Sequence, residues 1–162
     1  FKNLEAEIIA QNTVHKVIKD LKGQEFQKIK TTIESEEMKK YLKLMTRFNN
    51  ISFDNVENKK ILISSNTEEL NPLVLSKGEK ETVMLAMRVA FCSKLIKKNN
   101  LFLVLDNVFQ NCDWDVRDVL VDSLIKIVKE GWQIIYLTMD DHICGLLNEK
   151  GKLISDYKSI RI

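Results

Sequence analysis

Two largely apolar runs, Leu101-Phe102-Leu103-Val104-Leu105 and Gln133-Ile134-Ile135-Tyr136-Leu137, flank a single amphipathic stretch, and this spacing constrains the chain more than any other feature. Strands that run parallel cannot be joined by a tight turn; they need a crossover of a dozen residues or more. Residues 115–129 supply one, as a helix that Gly131 closes. Runs with so little polar alternation predict strands covered on both faces. The fold class is therefore α/β, a mostly parallel sheet flanked by helices.

The neighbouring segments extend this pattern. A long helix is expected from Glu79 to Lys97, a short one from His142 to Asn148, and a last strand near Lys152 to Asp156. Upstream, Ile51 and Phe53 alternate with polar residues, Asp54-Asn55 offers turn chemistry, and Ile61-Leu62-Ile63 is a second apolar run. Together they read as a small β-hairpin, followed by a polar loop from Thr67 to Pro72.

Residues 1–45 have another texture. Leu4, Ile8, Val14, Val17, Ile18, Leu21, Phe26, Ile29 and Ile33 recur at helical spacing as a narrow, charge-flanked stripe. The heptad register slips near Gln11 and Gly23, so a short or interrupted coiled coil is expected, with ordinary surface helices as the alternative. The chain thus divides into a helical arm over 1–45 and a head lobe over 46–162. It opens on Phe1-Lys2-Asn3 without an initiator methionine or a signal segment, which reads as a piece of a longer protein.

Composition narrows the classes. The 162 residues are 44% hydrophobic and 30% charged, with no apolar run long enough to span a bilayer. Cys92, Cys112 and Cys144 are odd in number and share no CxxC spacing, which argues against a disulfide framework or a zinc cluster and fits a reducing, cytoplasmic compartment. A net charge of +2 does not declare a nucleic-acid binder. Met38, Met45, Met84 and Met87 read as packing residues, Trp114 and Trp132 as packing at the two ends of the 115–129 helix, and His15 as solvated. Lys39-Lys40 and Lys97-Lys98 could touch nucleic-acid backbone, although lysine runs are usually a solvated face. Arg88, on the long helix, could couple its start to the core.

In open parallel sheets, ligands bind beyond the carboxyl ends of the strands. Asp106 and Asn107 come after the first run; Thr138, Met139, Asp140, Asp141 and His142 come after the second. A strand-tip carboxylate such as Asp106 can hold magnesium through water, or can simply cap the next helix or turn. Leu75-Ser76-Lys77-Gly78-Glu79 opens the long helix, where Ser76, backbone amides and the helix dipole suit an anion, and Gly78 permits close approach. A plain N-cap would also account for Ser76.

These segments, in this order, resemble an ABC-class ATPase head. Leu75-Ser76-Lys77-Gly78-Glu79 is similar to the signature motif, Leu103-Val104-Leu105-Asp106 to Walker B, Asn111-Cys112-Asp113 to the D-loop and Ile135-Tyr136-Leu137-Thr138 to the switch region. Within that class the chain is most similar to the DNA-maintenance branch of SMC, RecN and SbcC-like proteins, whose carboxy-terminal lobe emerges from a coiled coil. The resemblance implies that Leu75 to Glu79, through Ser76 and Gly78, meet the γ-phosphate of ATP bound by a second head, that Asp106 serves magnesium, and that Asn111 and Asp113 line the seam of a homodimer. It also implies a second lobe carrying the phosphate loop, DNA contacted through its backbone, and a nuclease or other effector subunit in a prokaryotic cytosol.

Three departures bear on catalysis. No Gly-x-x-x-x-Gly-Lys-Ser/Thr loop occurs in the sequence, so the chain alone is expected to be inactive. Asn107 stands where the family has an acidic residue, and an amide cannot accept a proton. Met139 and Asp140 occupy the usual place of the switch histidine; if relatives run Thr-x-His-x-His, Asp140 aligns with the first histidine and His142 with the second. The chain is thus expected to serve as part of an ATP hydrolase, slow at Asn107, or as a degenerate ATPase used as a scaffold.

Overall fold

The structure is a computed structural model that describes residues 2–53, 61–95 and 102–160. The expected turn at Asp54-Asn55, the Lys97-Lys98 pair and the side chain of His15 lie outside the described residues.

Helix α1 spans Lys2–Ile33 without a break, through both Gln11 and Gly23 where the register slips. A slip of heptad register therefore does not break the helix itself, and nothing crowds Gly23. Its last turns reach the body of the protein: Phe26 meets Phe53 edge-on at 5.1 Å, and Ile33 is buried. Ser35 then caps α2 (Glu36–Met45), accepting a bond from the Met38 amide. Although composition grouped α2 with the arm, Met38, Tyr41, Leu42 and Met45 sit fully inside the core. Each such side chain contributes about 1.5–3 kcal/mol on burial. α2 is also stitched to a later helix: Tyr41 donates to Glu130, Lys40 pairs with Glu130 at 2.6 Å, and Ser123 donates to the Leu44 carbonyl.

Strands β1 (Asn50–Phe53) and β2 (Ile61–Ser64) form the expected antiparallel hairpin, with Ile51 opposite Ile63. The segment read as a polar loop adds a third strand, β3 (Glu69–Leu70), which pairs with β2. A tight turn, in which the Ser65 amide bonds the Glu68 carbonyl, brings Leu70 opposite Ile63 and onto the core. Asn71 and a short 3₁₀ turn, Pro72–Val74, lead into α3 (Lys77–Leu95).

The second half is the expected βαβ unit. β4 (Phe102–Asp106) and β5 (Gln133–Leu137) are parallel, Leu103 facing Ile134 and Asp106 facing Leu137, with α4 (Trp114–Lys129) as the crossover. Gly131 adopts φ +96°, and the Trp132 amide reaches back to the Ile127 carbonyl, which closes α4. Helix α5 (Asp141–Gly151) packs on α4.

Four expectations need correction. The strands are not covered on both faces: Leu105 is buried and Leu103, Ile134 and Tyr136 pack inward, whereas Phe102 (68% exposed), Val104, Ile135 and Leu137 face out. Among the described residues no helix lies over that outer face. The final strand is also absent. Residues 152–156 form turns, because Tyr157 folds back onto the bare backbone of Gly151 and donates to Asn148 at 2.7 Å. Trp132 is buried as expected, but Trp114 is 68% exposed. Of the methionines, Met38 and Met45 are core, Met87 packs at its edge and Met84 is exposed.

Candidate functional site

The start of α3 is built by side chains that serve its own fold. Leu75 is buried and anchors the turn. Ser76 accepts a bond from the Glu79 amide at 3.2 Å, and Glu79 accepts one from the Ser76 amide at 2.9 Å, a reciprocal capping box. Arg47 donates to Glu79 at 2.8 Å and pairs with Glu68 as well. Burial works against the Glu79 charge, yet the Ser76 amide and Arg47 hold its carboxyl below the ordinary range. Ser76 and Lys77 remain exposed, while Gly78 is buried.

Gly78 has a structural reason of its own. A Cβ there would stand 2.5 Å from the Asn111 carbonyl oxygen, so the glycine lets the loop after β4 lie on the first turn of α3. Asn111 fastens the contact by donating to both carboxylate oxygens of Glu81 at 2.9 Å. The segments that resemble the signature motif and the D-loop thus form one packed unit.

At the tip of β4, Asp106 is exposed, and its carboxylate has no hydrogen bond or ion pair among the described residues. Asn107 adopts φ +54°, a left-handed conformation that asparagine tolerates better than most side chains. Its amide bonds the Leu137 carbonyl at 2.9 Å, its side-chain oxygen accepts from Thr138 at 3.1 Å, and its side-chain NH₂ donates to Gln110 at 3.4 Å. The two strand tips are thereby tied together.

Asp113 occupies the N-cap position of α4 but makes no capping bond. Asp140 caps α5 instead, accepting from the His142 and Ile143 amides at 3.0 and 3.1 Å, and it pairs with Arg117 at 2.7 Å. The Ile143 amide first, and Arg117 with it, hold the Asp140 carboxyl below its ordinary range. A carboxylate so committed is a poor proton acceptor. The His142 ring stacks on Trp114, centroids 4.4 Å apart, with its Nδ1 buried and unbonded among the described residues. Met139 is 92% exposed, and the Arg88 side chain is exposed without a hydrogen bond or ion pair among the described residues.

Sequence reasoning missed Arg117, which is 8% exposed, and Gln110, its neighbour in the loop. The signal was present. Arg117, Leu120, Val121 and Leu124 share the spacing of one buried helix face.

No family model and no curated protein matches the sequence. Solved structures do match. An SMC ATPase, characterised for ATP-driven dimerisation and DNA-stimulated activation, aligns over 76% of this chain and 76% of its own, at 20% identity and a TM-score of 0.56. This chain has the fold of an SMC head's carboxy-terminal lobe. An Smc head bound to the C-terminal winged-helix domain of ScpA aligns over 75% of this chain, at 20% identity and a TM-score of 0.54. An Smc head with coiled coil and joint from Pyrococcus yayanosii aligns over 90%, at 19% identity and a TM-score of 0.52. The SMC-like fold spans 38% and 29% of those two longer chains.

The residues suit nucleotide and magnesium on chemical grounds. Asp106 keeps its carboxylate available to a magnesium-bound water, and among the described residues no group of three or more ligating side chains could hold a cation directly. The Ser76 hydroxyl, an acceptor within the cap, still has a proton to donate outward. The acidic first turn would repel a phosphate, but Glu79 is neutralised by Arg47 and Glu81 is engaged by Asn111.

Proposed function

We propose that this chain is the carboxy-terminal half of an SMC-like ATPase head, which meets the terminal phosphate of ATP held by a second head. The observation that carries the reading is the packing of Gly78 beneath the Asn111 carbonyl, which supports treating the two motif-like segments as one phosphate-facing edge. On this reading Ser76 donates its hydroxyl proton to a phosphate oxygen, the exposed Lys77 adds a point charge, and the α3 amides supply the positive end of the helix dipole. Asp106 would hold magnesium through water, and the ion would neutralise phosphate charge there. Asn107 orients water without accepting its proton. Asp140 acts by holding the switch segment, and His142 adds its ring, stacked on Trp114, to that segment.

The lobe bearing the phosphate loop docks on the open face of Phe102, Val104, Ile135 and Leu137, whose exposure favours such a partner. ATP then closes two heads, with Asn111 and Asp113 at the seam, and the closure drives α1 as part of a coiled-coil arm in DNA maintenance or defence in the cytoplasm. DNA is met through its backbone. The SMC ATPase relative, described by ATP-driven dimerisation and DNA-stimulated activation, favours both steps. An effector such as a nuclease reads the closure.

The deciding experiment places Ser76→Asp in the complete head and measures ATP-driven association by light scattering. Aspartate retains the N-cap but sets a negative charge against the phosphate, so association should be lost while thermal stability is kept. Unchanged association would remove Ser76 from the nucleotide.

A second reading is a nucleotide-binding scaffold with negligible turnover. It is favoured by Asn107, whose amide is engaged at both ends and brings no base. ATP turnover of the complete protein, with and without DNA, separates the two.

A further inference from the structure

Arg117 lies on the buried face of α4, yet its guanidinium bonds to neither neighbouring helix. It donates through Nε to the Cys112 carbonyl at 2.9 Å, through one terminal nitrogen to the Gln110 carbonyl at 3.0 Å, and through the other to Asp140 at 2.7 Å. The first two anchors belong to the loop after β4, the third to the segment after β5. A circuit closes from there. The Asp140 amide donates to the Thr138 hydroxyl at 3.0 Å, Thr138 donates to Asn107 at 3.1 Å, and Asn107 donates to Gln110 at 3.4 Å, which returns to Arg117. Five residues are thus joined in one hydrogen-bonded ring, with Arg117 its only cation.

We propose that Arg117 is a positioning residue that makes the loop 110–113 and the switch segment 138–143 move as one, and thereby sets the pose of Asn107. The geometry needs arginine. A planar fork reaches three acceptors in different directions, whereas a lysine ammonium is a single point that can satisfy Asp140 but not both carbonyls as well. Arg117 is the direct link from Asp140 to the loop 110–113, and the path through Thr138 and Asn107 is the longer one, so variants at Asp140 and Arg117 cut the direct link alone. The consequence for catalysis rests on the function proposed above. The coupling itself is tested without nucleotide, so its failure and the failure of that reading are told apart.

The test is native-state amide exchange by NMR in the full chain. The reporters are the Gln110 and Cys112 amides, bonded to the Asn107 and Phe109 carbonyls, and the His142 and Ile143 amides capped by Asp140. Val89 in the buried centre of α3 reports global opening. Asp140→Asn retains a capping oxygen and removes only the charge opposite Arg117. It should accelerate exchange at Gln110 and Cys112 by roughly fivefold or more, while Val89 stays unchanged. Arg117→Lys should loosen Gln110 and Cys112 while keeping His142 and Ile143 protected, and Arg117→Gln should loosen both pairs. Acceleration confined to His142 and Ile143 in Asp140→Asn, or an equal acceleration at Val89, overturns the proposal; should Arg117→Gln fail to fold, the Asp140→Asn and Arg117→Lys results decide it alone.

Discussion

The Cα of Gly78 sits so close beneath the Asn111 carbonyl that a methyl group there would stand 2.5 Å from the oxygen. The obstacle is backbone, not the flexible end of a side chain, so it cannot swing aside. Gly78→Ala should lower stability by about 1–3 kcal/mol, the usual cost of overpacking. Denaturant unfolding gives the value, and a change near zero would mean that the loop shifts freely.

The capping box predicts two outcomes at Ser76. Ser76→Ala removes the acceptor for the Glu79 amide and should cost about 1 kcal/mol, whereas Ser76→Asp should cost little. Thermal melts of both variants, compared at one pH, check this pair.

Asp140 predicts a pH dependence of definite sign. Its carboxyl is held below the ordinary value of 3.8 in the folded chain, so the unfolded chain takes up the proton first. The stabilisation is therefore complete above that ordinary value and is lost as the pH falls through it toward the folded value. Glu79 adds a component of the same sign. The difference in unfolding free energy between the native chain and Asp140→Asn should shrink as the pH is taken from 6 to 2, about the span over which paired carboxylates protonate. A flat difference would mean that neither the Ile143 amide nor Arg117 holds the carboxyl down.

Asn107 offers a gain of function. Aspartate also tolerates the left-handed backbone, so Asn107→Asp should fold normally and raise ATP turnover in the complete head. Asn107→Ala, by contrast, should cost about 1–2 kcal/mol from the backbone conformation alone. Turnover unchanged by the aspartate would mean that the position does not face the attacking water.

The parallel pair β4–β5 and the helix between them were legible in the sequence, because apolar runs and helical spacing are local signals. The start of α3 was legible too, but Ser76 and Gly78 carried two meanings there. Only the third dimension shows that Asn111, more than thirty positions downstream, explains the glycine. Arg117 was missed because a charged helix residue is usually solvated; its carbonyl acceptors come from a loop whose path no periodicity predicts. Leu153 and Ile154 suggested a strand, yet a short apolar pair does not distinguish a strand from a turn held by Tyr157 packing on Gly151. The open outer face of β4 and β5 was hidden for a similar reason: residue type tells that Phe102 and Val104 prefer burial, not which surface buries them.

Helix α1 gives the lobe mechanical reach. Its 32 residues extend about 48 Å at the usual rise, and its root is gripped where Lys94 bonds the Thr31 carbonyl and Phe26 leans on Phe53. A rigid rod clamped at one end amplifies rotation, so a tilt of about 10° at the root sweeps the far tip through roughly 8 Å at that length. On the function proposed above, motions too small to notice beside a phosphate would arrive at the other end as displacements the size of a side chain.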